Sequence, residues 1–137
     1  MFQPAISTDI PGVADRDTTF NDHEYSWRGL VLQYPMGKVY IEEDFEGMGT
    51  INRIRIETPE LKLKNGIKTG DTVKQLRAAS AKWTITALAD YKLFDFYSTA
   101  FPQIHFLVSE PVLTLNLMEY KIGMFDTEDP VVGIVVF

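Results

Sequence analysis

The clearest pattern in the chain is the alternating run Ile51-Asn52-Arg53-Ile54-Arg55-Ile56. Successive side chains of a strand point to opposite faces, so Ile54 and Ile56 line one face and Arg53 and Arg55 the other. This predicts a half-buried strand whose arginine face is wet or ion-paired. Upstream, Tyr25, Trp27, Leu30 and Leu32 supply large β-formers over 25–34, with Gly29 read as a β-bulge. Pro35 and Gly37 then stand at the second and fourth positions of a turn. Lys38-Val39-Tyr40-Ile41-Glu42 follows as a new β-run, which makes a hairpin. Downstream, Trp83, Ile85 and Ala87 alternate with Thr84 and Thr86, and Phe94 and Phe96 share one face of a strand over 91–97. After a break at 98–102, Ile104, Phe106 and Val108 line one face of 103–109, giving a second hairpin. Leu113, Leu115 and Leu117 favour a strand over 112–120, and 123–130 reads as a loop. The apolar run 131–137 is expected at the sheet centre or covered on both faces. Its Val131, Ile134 and Val136 repeat the spacing of Ile51, Ile54 and Ile56.

The period changes once. Pro59 and Asn65-Gly66 delimit a short extended piece at 61–63, and Gly70 precedes Asp71 and Thr72, both good helix N-caps. Thr72 and Gln75 have the spacing of a capping box, in which each side chain satisfies a free N–H of the first turn. Val73, Leu76 and Ala79 follow on one face, predicting a helix over about 72–80. One short helix against about six to eight strands gives an α+β domain, a mostly antiparallel sheet with the helix packed on one face. Residues 1–23 mix Pro4, Pro11 and Gly12 with scattered aspartates and hold no period. They read as a loosely held arm with a short edge strand at 6–10, leaving 24–137 as the domain.

At 137 residues the chain buries roughly two-thirds of its extended surface, enough for one core. Its formal charge of -6 has the wrong sign for neutralising phosphates and argues against a nucleic-acid partner. The same acidity suits a basic protein partner, cations or plain solubility. The absence of cysteine excludes disulfides, thiolate metal sites and a cysteine nucleophile. No window has the length and hydropathy of a membrane span, and residues 1–8 lack the basic and apolar regions of a signal peptide. Read as it stands, the chain is expected in the cytoplasm.

Candidate chemistry is sparse. With His23 and His105 as the only histidines, a multi-histidine zinc site is ruled out. His23 reads as part of a solvated loop. His105 lies opposite Ile104 and Phe106, as a surface or internally satisfied histidine. Glu42, Glu43, Asp44 and Glu46 form an acidic run that could attract calcium, but the spacing is not that of an EF-hand, and an exposed, solvated loop is favoured. Asp126, Glu128 and Asp129 receive the same reading. The segment 66–72 looks like a phosphate loop leading into a helix, yet lacks the G-x-x-x-x-G-K order, and Asp71 would repel the anion. No Gly-x-Ser-x-Gly elbow occurs. The aromatics Trp27, Tyr91, Tyr97 and Phe101 are candidates for a ligand or partner surface, with membership of the core as the alternative. No cofactor is indicated.

The segments Ile51-Asn52-Arg53-Ile54-Arg55-Ile56-Glu57-Thr58-Pro59 and Asn65 to Leu76, with the late Val131, Ile134 and Val136, carry a resemblance. The chain resembles a group of small, uncharacterised cell-envelope proteins and lipoproteins of Bacteroidetes-type bacteria. The matched positions are glycine, proline, threonine and aliphatic residues, so the likeness concerns turns, cap and core and brings no catalytic residues with it. It implies an extracytoplasmic location after removal of a signal. The resulting expectation is a non-catalytic envelope module that binds a protein or another envelope component. The alternative is an acidic cytoplasmic partner protein, of inhibitor or immunity type, that masks a basic protein. A third possibility is a hydrolase that uses the acidic loops to hold a metal.

Overall fold

The computed structural model describes residues 14–22, 25–43, 51–88, 92–110 and 119–137. Their strands are β1 (Ala14–Asp22), β2 (Tyr25–Tyr34), β3 (Gly37–Glu43), β4 (Ile51–Glu57), β5 (Thr84–Leu88), β6 (Leu93–Tyr97), β7 (Ile104–Val108) and β8 (Val131–Val136), with one α-helix, α1 (Val73–Ala79), and a 3-10 turn at Ile122–Met124. The strands form one sheet in the order β1-β2-β3-β4-β8-β7-β6-β5, every neighbouring pair antiparallel. The fold is therefore α+β, as the alternation and the single capped helix predict. Two four-stranded meanders meet at the β4–β8 pair, so the two similar aliphatic runs are neighbours, with Ile54 opposite Val136 and Ile56 opposite Ile134. The apolar β8 takes the central position expected of it.

One face of the sheet is the core. Leu30, Leu32, Val39, Ile41, Ile56, Ile134, Phe106, Phe94 and Phe96 pack with Val73 and Leu76 of α1 and with Phe125 beneath. Phe94 and Phe96 meet Phe125 edge-on at 5.0 and 4.8 Å between ring centres, the geometry the aromatic quadrupole favours. Two register shifts adjust this face. Between Glu42 and Glu43 the pairing jumps from Arg53 to Ile51, which turns Ile51 toward the core although simple alternation would group it with the arginines. A second shift at Leu107 and Val108 sets Val131 in the core and leaves Val132 exposed.

The helix start is built as its sequence suggests. Thr72 N–H donates to Gln75 Oε1 at 2.8 Å, and the Thr72 hydroxyl donates to the same oxygen at 2.6 Å. Val73 N–H and Lys74 N–H donate to the carbonyls of Asp129 and Thr127. These first-turn donors are thus spent on the chain itself, a firmer reason against an anion there than the charge of Asp71. Asp71 itself accepts from Lys68 N–H across the turn before the helix, where Gly70 holds a left-handed φ of 98°.

Three expectations are corrected. Residues 14–22, within the stretch read as a loose arm, form a nine-residue strand along β2; its charge density suits an edge strand. The short strand expected at 6–10 and most of the one expected at 112–120 lie outside the described residues. Gly29 is not a bulge, since β1–β2 and β2–β3 pairing runs unshifted through it. A Cβ there would sit 2.2 Å from Phe20 Cε2 and 2.7 Å from the Ile41 carbonyl oxygen, so glycine is needed for the Phe20 ring to lie across β2. Glu42 and Glu43 belong not to an exposed loop but to β3, and both are buried.

Candidate functional site

The sheet face turned away from α1 carries the polar chemistry. Along it, directly opposed residues run Tyr40, Arg55, Val135, His105 and Tyr97 from β3 to β6. Beside that row lie Phe20, Trp27, Glu42 and Arg53.

Glu42 is the centre. It is fully buried, and a lone buried carboxylate would cost several kcal/mol on the order of magnitude usual for such groups, so it must be paired or protonated. It is paired. Trp27 Nε1–H donates to Oε1 at 2.9 Å, while Arg53 Nε–H and Arg55 Nε–H donate to Oε2 at 2.9 and 2.6 Å. Burial alone would push the carboxyl up. The hydrogen bonds from Arg53 and Arg55, reinforced by their charges, outweigh it and hold Glu42 below its ordinary 4.5. The ion-paired arginine face expected from the alternation is thus found, with its partner identified.

Aromatic rings set the arginine planes. The Arg55 guanidinium carbon lies 4.2 Å above the Tyr40 ring centre and 5.7 Å from that of Phe20. Phe20 stacks on Trp27 and meets Tyr40 edge-on, both at 6.1 Å. Further along, His105 Nδ1 pairs with Asp95 at 2.8 Å, and its ring stacks on Tyr97 at 4.8 Å. His105 therefore lies where the strand pattern put it, satisfied by a neighbour.

Of the aromatics singled out from sequence, Trp27 belongs to the Glu42 cluster. Tyr97 lies on the same face but several strands away. Phe101 packs on the core side against Trp83 and Phe106, and Tyr91 lies outside the described residues. The four therefore do not form one site. A cleft of ≈ 510 Å³ does open beside Tyr97, bordered by Trp83, Ser98, Tyr120 and Lys121. Its polar groups are largely committed: Trp83 Nε1–H donates to the Leu76 and Ser80 carbonyls, and the Ser80 and Ser98 hydroxyls share a 2.8 Å hydrogen bond.

The acidic residues also separate. Glu42 and Glu43 point to opposite faces, Glu42 to Trp27 and Glu43 toward Arg28, whose Nε is 3.6 Å from Glu43 Oε2. Glu42 has spent both oxygens on donors, so these two cannot share a cation, and Asp44 and Glu46 lie outside the described residues. Among the described residues no cluster of three metal-ligating side chains occurs. Asp129, read as solvated with Asp126 and Glu128, is instead buried. Burial, the hydrogen bond to Glu110 and the charge of that neighbour raise it from its ordinary 3.8 to about 7. The Asp129 carboxyl is thus hydrogen-bonded to a second acid beside the start of α1.

The fold is similar to that of the uncharacterized protein YfeY from Escherichia coli, with a TM-score of 0.65 and 17% identity over 90% of this chain and 79% of that one. At that identity the likeness concerns the fold. No protein-family model matches the sequence, and no curated protein matches it. No helix among the described residues is long and apolar enough to cross a membrane.

The Glu42 cluster escaped sequence reading because a carboxylate within an acidic run looks solvated. A signal was nonetheless present: two arginines on one strand face call for a counter-charge on the adjacent strand, and Glu42 is the acid of β3 that shares their face.

Proposed function

We propose that the chain is a non-catalytic binding module of the cell envelope, which engages a protein or another envelope component through the face turned away from α1. The observation that carries the reading is the set of half-buried Trp27, Phe20, Tyr40, Arg53 and Arg55 fixed around one buried carboxylate. Tryptophan, tyrosine and arginine are the residues that dominate binding energy at protein interfaces, and they do so when their orientation is already set. Both Glu42 oxygens and the Trp27 N–H are hydrogen-bonded, which favours rigid recognition over turnover. The envelope location rests on the resemblance of the Ile51–Pro59 and Asn65–Leu76 segments.

The test places a photo-crosslinking residue at Tyr40 in the full native reading frame and fractionates the cells. The reading expects the protein in the envelope fraction and one discrete partner crosslinked from position 40 but not from exposed Glu128. Trp27→Ala should reduce that crosslink about tenfold or more, the scale of an interface hot spot. Recovery in the cytoplasmic fraction, or equal crosslinking from both positions, would sink it. The charge of -6 supports a second reading, an acidic protein that masks a basic partner. Binding of that kind weakens steeply with salt, whereas a contact centred on Trp27 and Tyr40 does not.

A further inference from the structure

Glu42 aims Arg53 and Arg55 without using them up. Each gives the carboxylate only its Nε–H, at 2.9 and 2.6 Å, because the second oxygen is taken by Trp27. Among the described residues Arg53 has no other hydrogen bond or ion pair. Arg55 has one more, a 3.4 Å contact from Nη1 to Glu57, whose side chain is 40% exposed. Among the described residues the Nη groups of Arg53 and Nη2 of Arg55 have no hydrogen-bond partner, and the two side chains keep 35% and 28% of their solvent access. Nη groups of a guanidinium lie in one plane and match the two oxygens of a carboxylate, and a fork whose orientation is fixed in advance loses little entropy on binding.

We propose that the outer edges of Arg53 and Arg55 bind a carboxylate borne on an apolar group, which rests on the rings of Trp27 and Tyr40. The proposal rests on the binding-face reading and names the chemistry the face recognises. Charge selects the anion. Two guanidinium groups against the buried Glu42 carboxylate leave one positive charge, part of which the half-exposed Glu57 beside Arg55 already offsets, so the site accepts at most a monoanion. A phosphate dianion would overshoot that charge, next to Glu57 and on a chain of charge -6. The half-buried rings select the group that carries the charge, since a bare acetate would leave them uncovered.

The test titrates the intact protein, with its arginine Nε–H and tryptophan Nε1–H resonances observed by NMR. The probes are phenylacetate, phenylacetamide, inorganic phosphate, and a short peptide ending in phenylalanine with a free or an amidated C-terminus. The expected result is saturable binding of phenylacetate, of the free-acid peptide or of both, which shift the Arg53, Arg55 and Trp27 resonances. A response to the peptide alone assigns the carboxylate to a protein terminus, and a response to phenylacetate alone assigns it to a small molecule. The neutral amide counterparts and phosphate should bind at least about tenfold more weakly, the loss that follows from one charge-assisted pair. Arg53→Lys keeps a cation beside Glu42 but lacks the fork, so the folded variant should lose about tenfold in affinity. Glu57→Gln should strengthen binding a few-fold. Absence of saturable binding by any carboxylate, phosphate binding as tightly as carboxylate, or full affinity in a folded Arg53→Lys would overturn the site. The crosslink from Tyr40 is read separately, so the binding-face reading stands or falls by its own result.

Discussion

Glu42 and Asp129 are both carboxyl groups withdrawn from water, one on the sheet face away from the helix and the other beside the helix start. Their neighbours are opposite in charge. Glu42 meets two arginines and a tryptophan N–H and stays ionised below its ordinary range. Asp129 meets Glu110 and is raised to about 7 by burial and by that second acid. Burial therefore does not decide the charge of a carboxyl group; the donors around it do. Glu42 orients an arginine-bearing, aromatic surface, whereas Asp129 ties Glu110 to the turn whose carbonyls receive the first N–H groups of α1.

The largest loss that breaks this contrast comes from Glu42→Ala. It strands two arginines and the Trp27 N–H, and should cost about 3 kcal/mol in denaturant unfolding, the low end for a broken buried pair because both arginines keep partial solvent access. Gly29→Ala should follow, at about 1–3 kcal/mol, since the new Cβ meets the Ile41 carbonyl and forces Phe20 off the cluster. A drop in tryptophan fluorescence anisotropy or a change in Trp27 Nε1–H shift would report the displaced ring.

A pH-dependent effect separates the two acids. The folded-state pKa of Asp129 is raised, so its contribution to stability is fully present below about 4 and is lost as pH rises through about 7, at a limiting slope of about 1.4 kcal/mol per pH unit. Glu42 is depressed, so its contribution is present above 4.5 and is lost as pH falls through its folded value. Asp129→Asn should therefore gain stability relative to the native chain as pH rises from 4 to 7, by a few kcal/mol (about 4 at that limiting slope), with no further gain above about 7. A gain that is the same at pH 4 and pH 8 would contradict the raised Asp129 carboxyl. The smallest effect belongs to His105→Gln, under about 1 kcal/mol in thermal unfolding, because the pair with Asp95 is partly solvated.

Local rules made much of the fold legible. Arg53, Ile54, Arg55 and Ile56 announce their two faces by alternation, Thr72 and Gln75 announce the helix start, and Pro35 with Gly37 announces the first hairpin, where a Cβ on Gly37 would strike the Glu57 carbonyl oxygen. What escaped depends on contacts distant in sequence. Glu42 finds Trp27 fifteen residues upstream and Arg53 and Arg55 eleven and thirteen downstream, so its burial could be inferred only after the strands had been paired. Asp129 finds Glu110 across the connection between β7 and β8, and nothing in its own neighbourhood distinguishes it from the exposed Asp126 and Glu128. Strand β1 carries few apolar residues and is recognisable through its partner, since Phe20 pairs with Trp27 and fills the space over Gly29.

The most direct test is a carboxyl-detected NMR titration of the intact chain, from pH 2.5 to 9 on the order of the range that spans both acids. Glu42 should titrate with a midpoint below 4.5, while Asp129 should titrate near 7. Protonation of Glu42 at or above its ordinary value would contradict the arginine-held carboxylate on which the proposed binding face is built.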